Sequence, residues 1–509
     1  MPSPAATFGV RCKSYSGCEH HRHLQPNLRG RSLLFPTTDF AIFFCVVFTA
    51  SWLLMPYRAA WKIFMTAASY VFYAWWDPGL VWLLAAVTVT AQLGAIWVNA
   101  SEPSTRRRTA LSASVGLVLL PLLWFKYYGF ISVTAADLFG RWGAGAPLPL
   151  LQIVLPVGIS FYTFMAISYV VDIYRKELAP AGWLDLSLYL SFFPHLVAGP
   201  IVRAGELIPQ FATARDPARI DVGHAARLIF RGLFKKVVVS SFLATQIVDP
   251  VFADPSGYSS LDVLFAIYAY SIVIYSDFSG YTDIAIGVAE LLGFGFPHNF
   301  DCPYIARSLQ DFWRRWHITL SRWLRDYLYI PLGGSRTTSE RVYFNILLTM
   351  LLGGLWHGAG WTFMIWGAIH GVGQATGHFR RSRTGRTEKR ADGPLVRARQ
   401  IFITFHIVSF AWIFFRADSV GQAWDVISSL VTNLRSPELL TVWVAAIVLG
   451  AIAAQFVGSV PTLAASISAG WKAFGASSPL AQGTVGAVAL FAITTLGPEG
   501  VAPFIYFRF

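Results

Sequence analysis

Charge is the scarcest property of this sequence: Asp, Glu, Lys and Arg make up only 13% of its 509 residues, against a hydrophobic share of 55% and a mean hydropathy of +0.51. A water-soluble domain could not cover that much apolar surface, which leaves the bilayer as the main solvent. Cysteine is scarce too. Cys12, Cys18, Cys45 and Cys302 are the whole set, and Cys45 lies inside an apolar run, so no disulfide framework can be read. Acidic residues are outnumbered, 27 against 40 Lys and Arg. In a membrane protein such an excess belongs to cytoplasmic loops, and no nucleic-acid partner is implied. Finally, there is no G-x-S-x-G elbow, no G-x-x-x-x-G-K-[ST] loop and no histidine followed five residues later by aspartate. Serine-hydrolase, P-loop and soluble glycerolipid-acyltransferase readings thereby lose their signatures.

What the chain has in abundance is apolar runs of about twenty residues, the length that crosses hydrocarbon as a helix. They cover 40–55, 59–76, 79–98, 109–131, 150–174, 261–278, 343–356, 361–377, 401–415, 442–456 and 485–496. Helices satisfy their own backbone in lipid, so the expected fold class is all-α, a polytopic transmembrane bundle of roughly 11–13 spans plus re-entrant and interfacial helices. Loop charges alternate: Arg58 and Lys62 follow the first run, Asp77 the second, Arg106 to Arg108 the third, and Arg175 with Lys176 the fifth. By the positive-inside rule the first run starts outside the cytoplasm. Between 183 and 252 the pattern loosens around Pro194, His195, Gly199 and Pro200, as in broken helices that line a cavity or re-enter. The basic linker Arg380–Arg399 reads as cytoplasmic and flexible. No internal repeat marks two inverted halves.

Residues 1–31 are polar and basic without the apolar core of a signal peptide, and are expected to be a disordered extension ahead of one membrane domain over 32–509. A basic tail sits badly outside the cytoplasm, which suggests that Met1 is a misassigned start and that the native start lies near Leu33. Cys12, Cys18, His20, His21 and His23 match no finger spacing, so no metal site is expected.

Two motifs carry chemistry. Asp311–Pro331, DFWRRWHITLSRWLRDYLYIP, drawn as one helix puts Phe312, Trp316, Leu320 and Trp323 on an apolar stripe and Asp311, Arg315, Arg322 and Asp326 on another face. The plain reading is an interfacial anchor with tryptophans at headgroup depth. The sharper one makes Arg314, Arg315 and Arg322, with Trp313 and Trp316, the receiver of an anionic donor, since guanidinium forks suit phosphate. The second motif is Gly353–Trp361, GGLWHGAGW, closing an apolar run. An ionisable residue at membrane depth marks a site by default, and His357 fits. Its glycines serve either substrate approach or tight helix packing. A desolvated imidazole stays neutral and can take a hydroxyl proton as that oxygen attacks a thioester, without a covalent nucleophile. Backbone N–H groups near Gly358 are a candidate oxyanion hole. His195, His298, His370 and His406 read as core histidines, and Cys302 as an inert thiol.

At these motifs the chain resembles a known family. WRRWHITLSRWLRDYLYIPLGGSR at Trp313–Arg336, followed by GGLWHGAGWTFMIWGAIHG at Gly353–Gly371, is similar to the membrane-bound O-acyltransferase (MBOAT) family in its alginate O-acetyltransferase branch. Pro156–Arg175, Phe192–Gln210, Tyr275–Gly287 and the closing FIYFRF resemble the same branch. The resemblance implies a helical bundle around a tunnel, where a cytoplasmic thioester, acetyl-CoA or another, meets an acceptor from the far side, with no bound cofactor. It implies His357 as the catalytic histidine and His317 as a second polar position for donor binding or orientation; in the mechanism expected here His317 and the neighbouring arginines hold or polarise the donor. The implied reaction is acyl transfer, acetyl first, to a hydroxyl of an exported polysaccharide such as alginate, or to a periplasmic relay protein. Implied partners are the bilayer, the acyl donor and a periplasmic acetyltransferase or polysaccharide export proteins, in the bacterial cytoplasmic (inner) membrane. One alternative is a D-alanyl-type transferase fed by a carrier protein. Another is a transporter or flippase that moves an acyl or glycan species without bond cleavage, which would use the broken helices as its path.

Overall fold

The computed structural model describes residues 35–384 and 393–496, apart from positions 144, 146, 152 and 198. The N-terminal stretch with its cysteines and histidines, the centre of the basic linker and the closing FIYFRF lie outside the described residues. Among the described residues every regular element is helical. Among the described residues the α-helices of seven residues or more are α1 (Thr38–Leu54), α2 (Arg58–Ala74), α3 (Val81–Ala100), α4 (Thr105–Leu122), α5 (Tyr128–Gly140), α6 (Ile159–Tyr174), α7 (Trp183–Ser191), α8 (Ala204–Ala212), α9 (Val222–Leu233), α10 (Ser260–Leu291), α11 (Leu309–Arg315), α12 (Ile318–Leu324), α13 (Ser339–His357), α14 (Trp361–Thr384), α15 (Pro394–Arg416), α16 (Val420–Thr432), α17 (Val442–Ala454), α18 (Pro461–Gly475) and α19 (Pro479–Leu496).

Each apolar run overlaps one or more of these helices, yet fewer of them meet the length and composition of a span than the expected 11–13. Pro78–Ala100, Thr105–Gly140, Ser260–Leu291 and Pro394–Arg416 do; the bent pair α18 and α19 would add a fifth, and Thr38–Leu54, Ile159–Tyr174 and Val442–Ala454 are apolar but shorter. The shortfall has local causes. The described residues of 150–158 in the fifth run are irregular, so α6 begins only at Ile159. Others, such as α13 and α14, carry a polar or basic end beyond their apolar core.

The basic loops meet at one end of the bundle, the end that the positive-inside rule assigns to the cytoplasm. Arg107 at the start of α4 donates to the carbonyls of Ile173 and Tyr174, at 3.1 and 3.0 Å, and so closes the open end of α6. Arg175 donates to the Asp326 carbonyl at 2.7 Å, and Arg203 pairs with the Asp326 carboxylate at 2.5 Å. Burial alone would raise the Asp326 carboxyl, but hydrogen bonds from Arg325 and Arg203 outweigh it and hold the group below the ordinary carboxylate value. Behind this face, α10 is buried along most of its 32 residues and forms the central post.

Candidate active site

The predicted helix over 311–331 is broken. α11 stops at Arg315, Trp316 is extended, and His317 adopts a left-handed backbone (φ 42°, ψ 55°) before α12 starts at Ile318. That conformation costs a non-glycine residue on the order of 1–2 kcal/mol. Asn299, in the segment after α10, holds it in place. Its carbonyl accepts from Ile318 N–H at 2.9 Å, and its Oδ1 accepts from Thr319 N–H at 3.1 Å and from the Thr319 hydroxyl at 2.9 Å. First-turn N–H groups that a helix cannot satisfy internally are thus met from outside. The break also turns the aromatic stripe inward: Phe312, Trp316, Leu320 and Trp323 are buried. This corrects the anchor reading, which needed them at headgroup depth on one straight helix.

The other half of the site is the end of α13. Measured from Ser339, near the basic face, His357 lies about 27 Å along the axis at 1.5 Å per residue, most of the way across a hydrocarbon core. Its ring centroid is 4.9 Å from those of Trp356 and Trp366 and 5.2 Å from that of Phe415. Trp356 also stands 5.8 Å from the His317 ring. Two histidines from separate motifs therefore flank one indole, and His317, Lys126 and His370 are the basic groups in electrostatic reach of His357.

Lys126 is the residue that the sequence analysis missed. It lies on a π-helical turn, Leu123–Tyr127, that follows Pro121 and joins α4 to α5; such turns recur at functional sites. Its Nζ donates to the carbonyls of Trp356 at 2.5 Å and His357 at 3.3 Å, and to Ser160 Oγ at 3.4 Å. Tyr127 hydroxyl donates to the Leu355 carbonyl at 2.9 Å. A helix C-terminus presents unsatisfied carbonyls and partial negative charge, so an ammonium there fixes the last turn and with it the His357 backbone. Lys126→Met is expected to lower turnover about 10–100-fold with little change in KM, because small misplacements of a reacting group cost that much. Lys126→Arg should recover part of the loss. Steady-state kinetics of the purified protein would decide, and wild-type turnover in Lys126→Met would remove this role.

The glycines around His357 serve packing. A Cβ on Gly354 would meet the Phe363 carbonyl at 2.3 Å, and one on Gly367 the Met350 carbonyl at 2.4 Å, so α13 and α14 cross with their backbones almost in contact. Gly354→Val should therefore separate the pair, costing about 1–3 kcal/mol by overpacking and lowering the thermal midpoint in detergent. Of the backbone N–H groups near Gly358, that of Gly358 donates to the Gly354 carbonyl at 3.2 Å and that of Gly360 to the Gly358 carbonyl at 3.1 Å.

The proposed donor residues do not form one cradle. Trp313 is buried and donates from Nε1 to His370 Nδ1 at 3.3 Å, tying α11 to α14. Trp316 is stacked on Phe312. Arg315 is bonded to Asp311 at 3.0 Å and Asp301 at 3.2 Å, and Arg322 to Glu206 at 2.9 Å, so acids within the protein already answer these charges; Arg314 is exposed. His195, bonded to the Tyr189 carbonyl, is buried, whereas His406, bonded to Tyr268, is half-buried. His298 instead is exposed in a polar cleft of about 460 Å³ beside Arg215 and Glu290. Burial first, then Asp301, push the Cys302 thiol above its ordinary value, which disfavours a thiolate acyl carrier.

His357 is 1% exposed, walled by the rings just named. A space of about 70 Å³ lined by Trp76, Lys126, Ser160, Phe161 and Trp356 approaches it from behind Trp356, room for a few waters only.

Comparison with known sequences decides what kind of protein this is. The profile described as MBOAT, membrane-bound O-acyltransferase family, matches residues 67–416, a stretch that contains Lys126, Asn299, His317 and His357. The chain belongs to the membrane-bound O-acyltransferase family. Among similar proteins are the probable alginate O-acetylase AlgI of Azotobacter vinelandii, 38% identical over 82% of this chain and 83% of that protein, and the peptidoglycan O-acetyltransferase of Helicobacter pylori, 36% identical over 73% of each. The teichoic acid D-alanyltransferase of Streptococcus thermophilus is more distant, 28% identical over 51% of this chain and 68% of that protein. This MBOAT protein is thus a multi-pass membrane O-acyltransferase.

Proposed function

We propose that the protein moves an acetyl group from a thioester donor on the cytoplasmic side to a hydroxyl of an exported polysaccharide or of a relay protein, in the bacterial inner membrane. The observation that carries this reading is the pairing of His317 and His357 across Trp356, deep in the bundle and at the end of a helix that starts on the basic face. The acetyl and polysaccharide assignments draw support from the relatives named for alginate and peptidoglycan, which are more similar to this chain than the D-alanyl one.

In the reaction the acceptor hydroxyl loses its proton to His357 as its oxygen attacks the thioester carbonyl. The C–S bond then breaks, and the same proton passes to the leaving thiolate, giving an ester and a free thiol. Separating the two substrates on opposite faces means that the large charged donor never has to be exported. The test is purified protein in a bilayer disc with acetyl-labelled thioester and candidate glycans. Label appearing in an ester with stoichiometric thiol supports the reading. Movement of intact donor or glycan without thiol release would make the protein a carrier, and labelling only from a D-alanyl carrier protein would assign it to that branch.

A further inference from the structure

His317 is the second histidine of the site, and the hydrogen bonds around it fix which of its nitrogens carries the proton. Asn299 Oδ1 lies 3.2 Å from His317 Nδ1. An amide can be turned end for end, so the orientation of Asn299 has to come from its other partners. They leave no choice. The Thr319 main-chain N–H, which can only donate, points at the same Oδ1 at 3.1 Å. The Thr319 hydroxyl accepts from Ile201 N–H at 3.0 Å, which leaves its own hydrogen to go to Oδ1, 2.9 Å away. Oδ1 is therefore an acceptor in all three contacts, and the hydrogen between it and His317 sits on Nδ1. A neutral imidazole carries one such hydrogen, so Nε2 bears a lone pair. Nε2 is buried without a hydrogen-bond partner among the described residues, in a ring that is 0% exposed. The walls around that ring are uncharged: Phe278 of α10 at 4.6 Å, Phe300 of the preceding segment at 6.5 Å and Trp356 of α13 at 5.8 Å. The titratable group in electrostatic reach is His357.

We infer that Asn299 is a positioning residue that locks His317 in the Nδ1–H form, so that His317 meets substrate as a hydrogen-bond acceptor, taking an O–H or N–H of acceptor or donor. This rests on the acyl-transfer reading and changes one part of it. A bare Nε2 cannot polarise the thioester carbonyl, the role expected of it from the sequence, because it has no hydrogen to give. It can hold a substrate hydroxyl or amide in register with His357. The left-handed backbone at His317 belongs to the same device, since Asn299 anchors Ile318 and Thr319 on one side of the turn and the imidazole on the other.

The experiment compares Asn299→Ala, Asn299→Asp and His357→Ala in purified protein, reading kcat and KM across pH with acetyl thioester and glycan. In Asn299→Ala both tautomers become populated and the ring loses its tether, so kcat should fall about 10–100-fold, as for other residues that orient a functional histidine, while KM changes little. Asn299→Asp keeps the acceptor and hence the tautomer, but its carboxylate favours the imidazolium. Its activity should return at high pH, with the acid limb of the kcat profile moved up by about one unit or more. A residue that merely supports the fold would not move that limb. Wild-type kcat in Asn299→Ala, or an Asn299→Asp profile superimposed on wild type, overturns the inference; should Asn299→Ala not fold, the Asn299→Asp profile decides alone. Unchanged turnover in His357→Ala would instead bring down the acyl-transfer reading itself, so the two failures are distinguishable.

Discussion

His357→Ala should reduce acyl transfer on the order of 10³-fold or more, with the protein still inserted and folded. A positioned general base contributes about 10²–10⁴-fold, and a thousandfold loss is about 4 kcal/mol of barrier. His357 is placed for the upper part of that range. Its ring is buried among Trp356, Trp366 and Phe415, where no solvent water competes for the proton, and its backbone is pinned by Lys126. The side chain also fills space, so alanine removes packing as well as chemistry. His357→Gln, closer in volume and polar, separates the two effects: it should keep the thermal midpoint near wild type and still be as inactive as alanine. Acetyl content of polymer from cells carrying each variant, together with labelled transfer in bilayer discs, measures both. Full acetylation in cells with His357→Ala would mean that the chain is a scaffold for a partner enzyme.

The sequence disclosed the parts of this site that stand alone and hid the parts that exist only as pairs. His357 was legible because one imidazole in an apolar run needs an explanation. Lys126 raised the same question, as a single charge inside the run over 109–131, but nothing in local pattern says that a lysine will turn on a π-helical segment and reach the end of a helix 230 residues later. Asn299 carries no signal at all in the sequence, since its partners come from the far side of α11. The arginines were misjudged for the converse reason. Arg315 and Arg322 look like bare cations on a helix face until Asp301 and Glu206 arrive from other segments. The runs located the helices well because apolarity is a property of each residue in turn. Helix ends were less legible, because a break such as the one at His317 is decided by tertiary hydrogen bonds.

Pairing governs the other large effect as well. Asp277→Ala should destabilise the protein by about 3–5 kcal/mol, the range for removing one partner of a buried ion pair. Lys236, on the π-helical stretch Phe234–Ser240, forms a direct ion pair with Asp277 of α10, with side-chain exposures of 1% and 4%. Deleting the carboxylate takes this ion pair from a buried ammonium, which also lies 5.6 Å from the Tyr281 ring, at a depth where charge is costly. Lys236→Met together with Asp277→Leu should recover most of the stability, because apolar isosteres of similar volume often replace such a pair without loss. Activity should follow stability in this series. Asp277 precedes Phe278, whose ring meets His317 edge-on at 4.6 Å, so a loosened α10 disturbs the wall of the active site while the apolar double variant keeps it in place. Thermal midpoints in detergent and turnover per folded protein test both halves. A double variant that regains its midpoint but not its turnover would show that the ion pair itself takes part in the chemistry and is more than a strut.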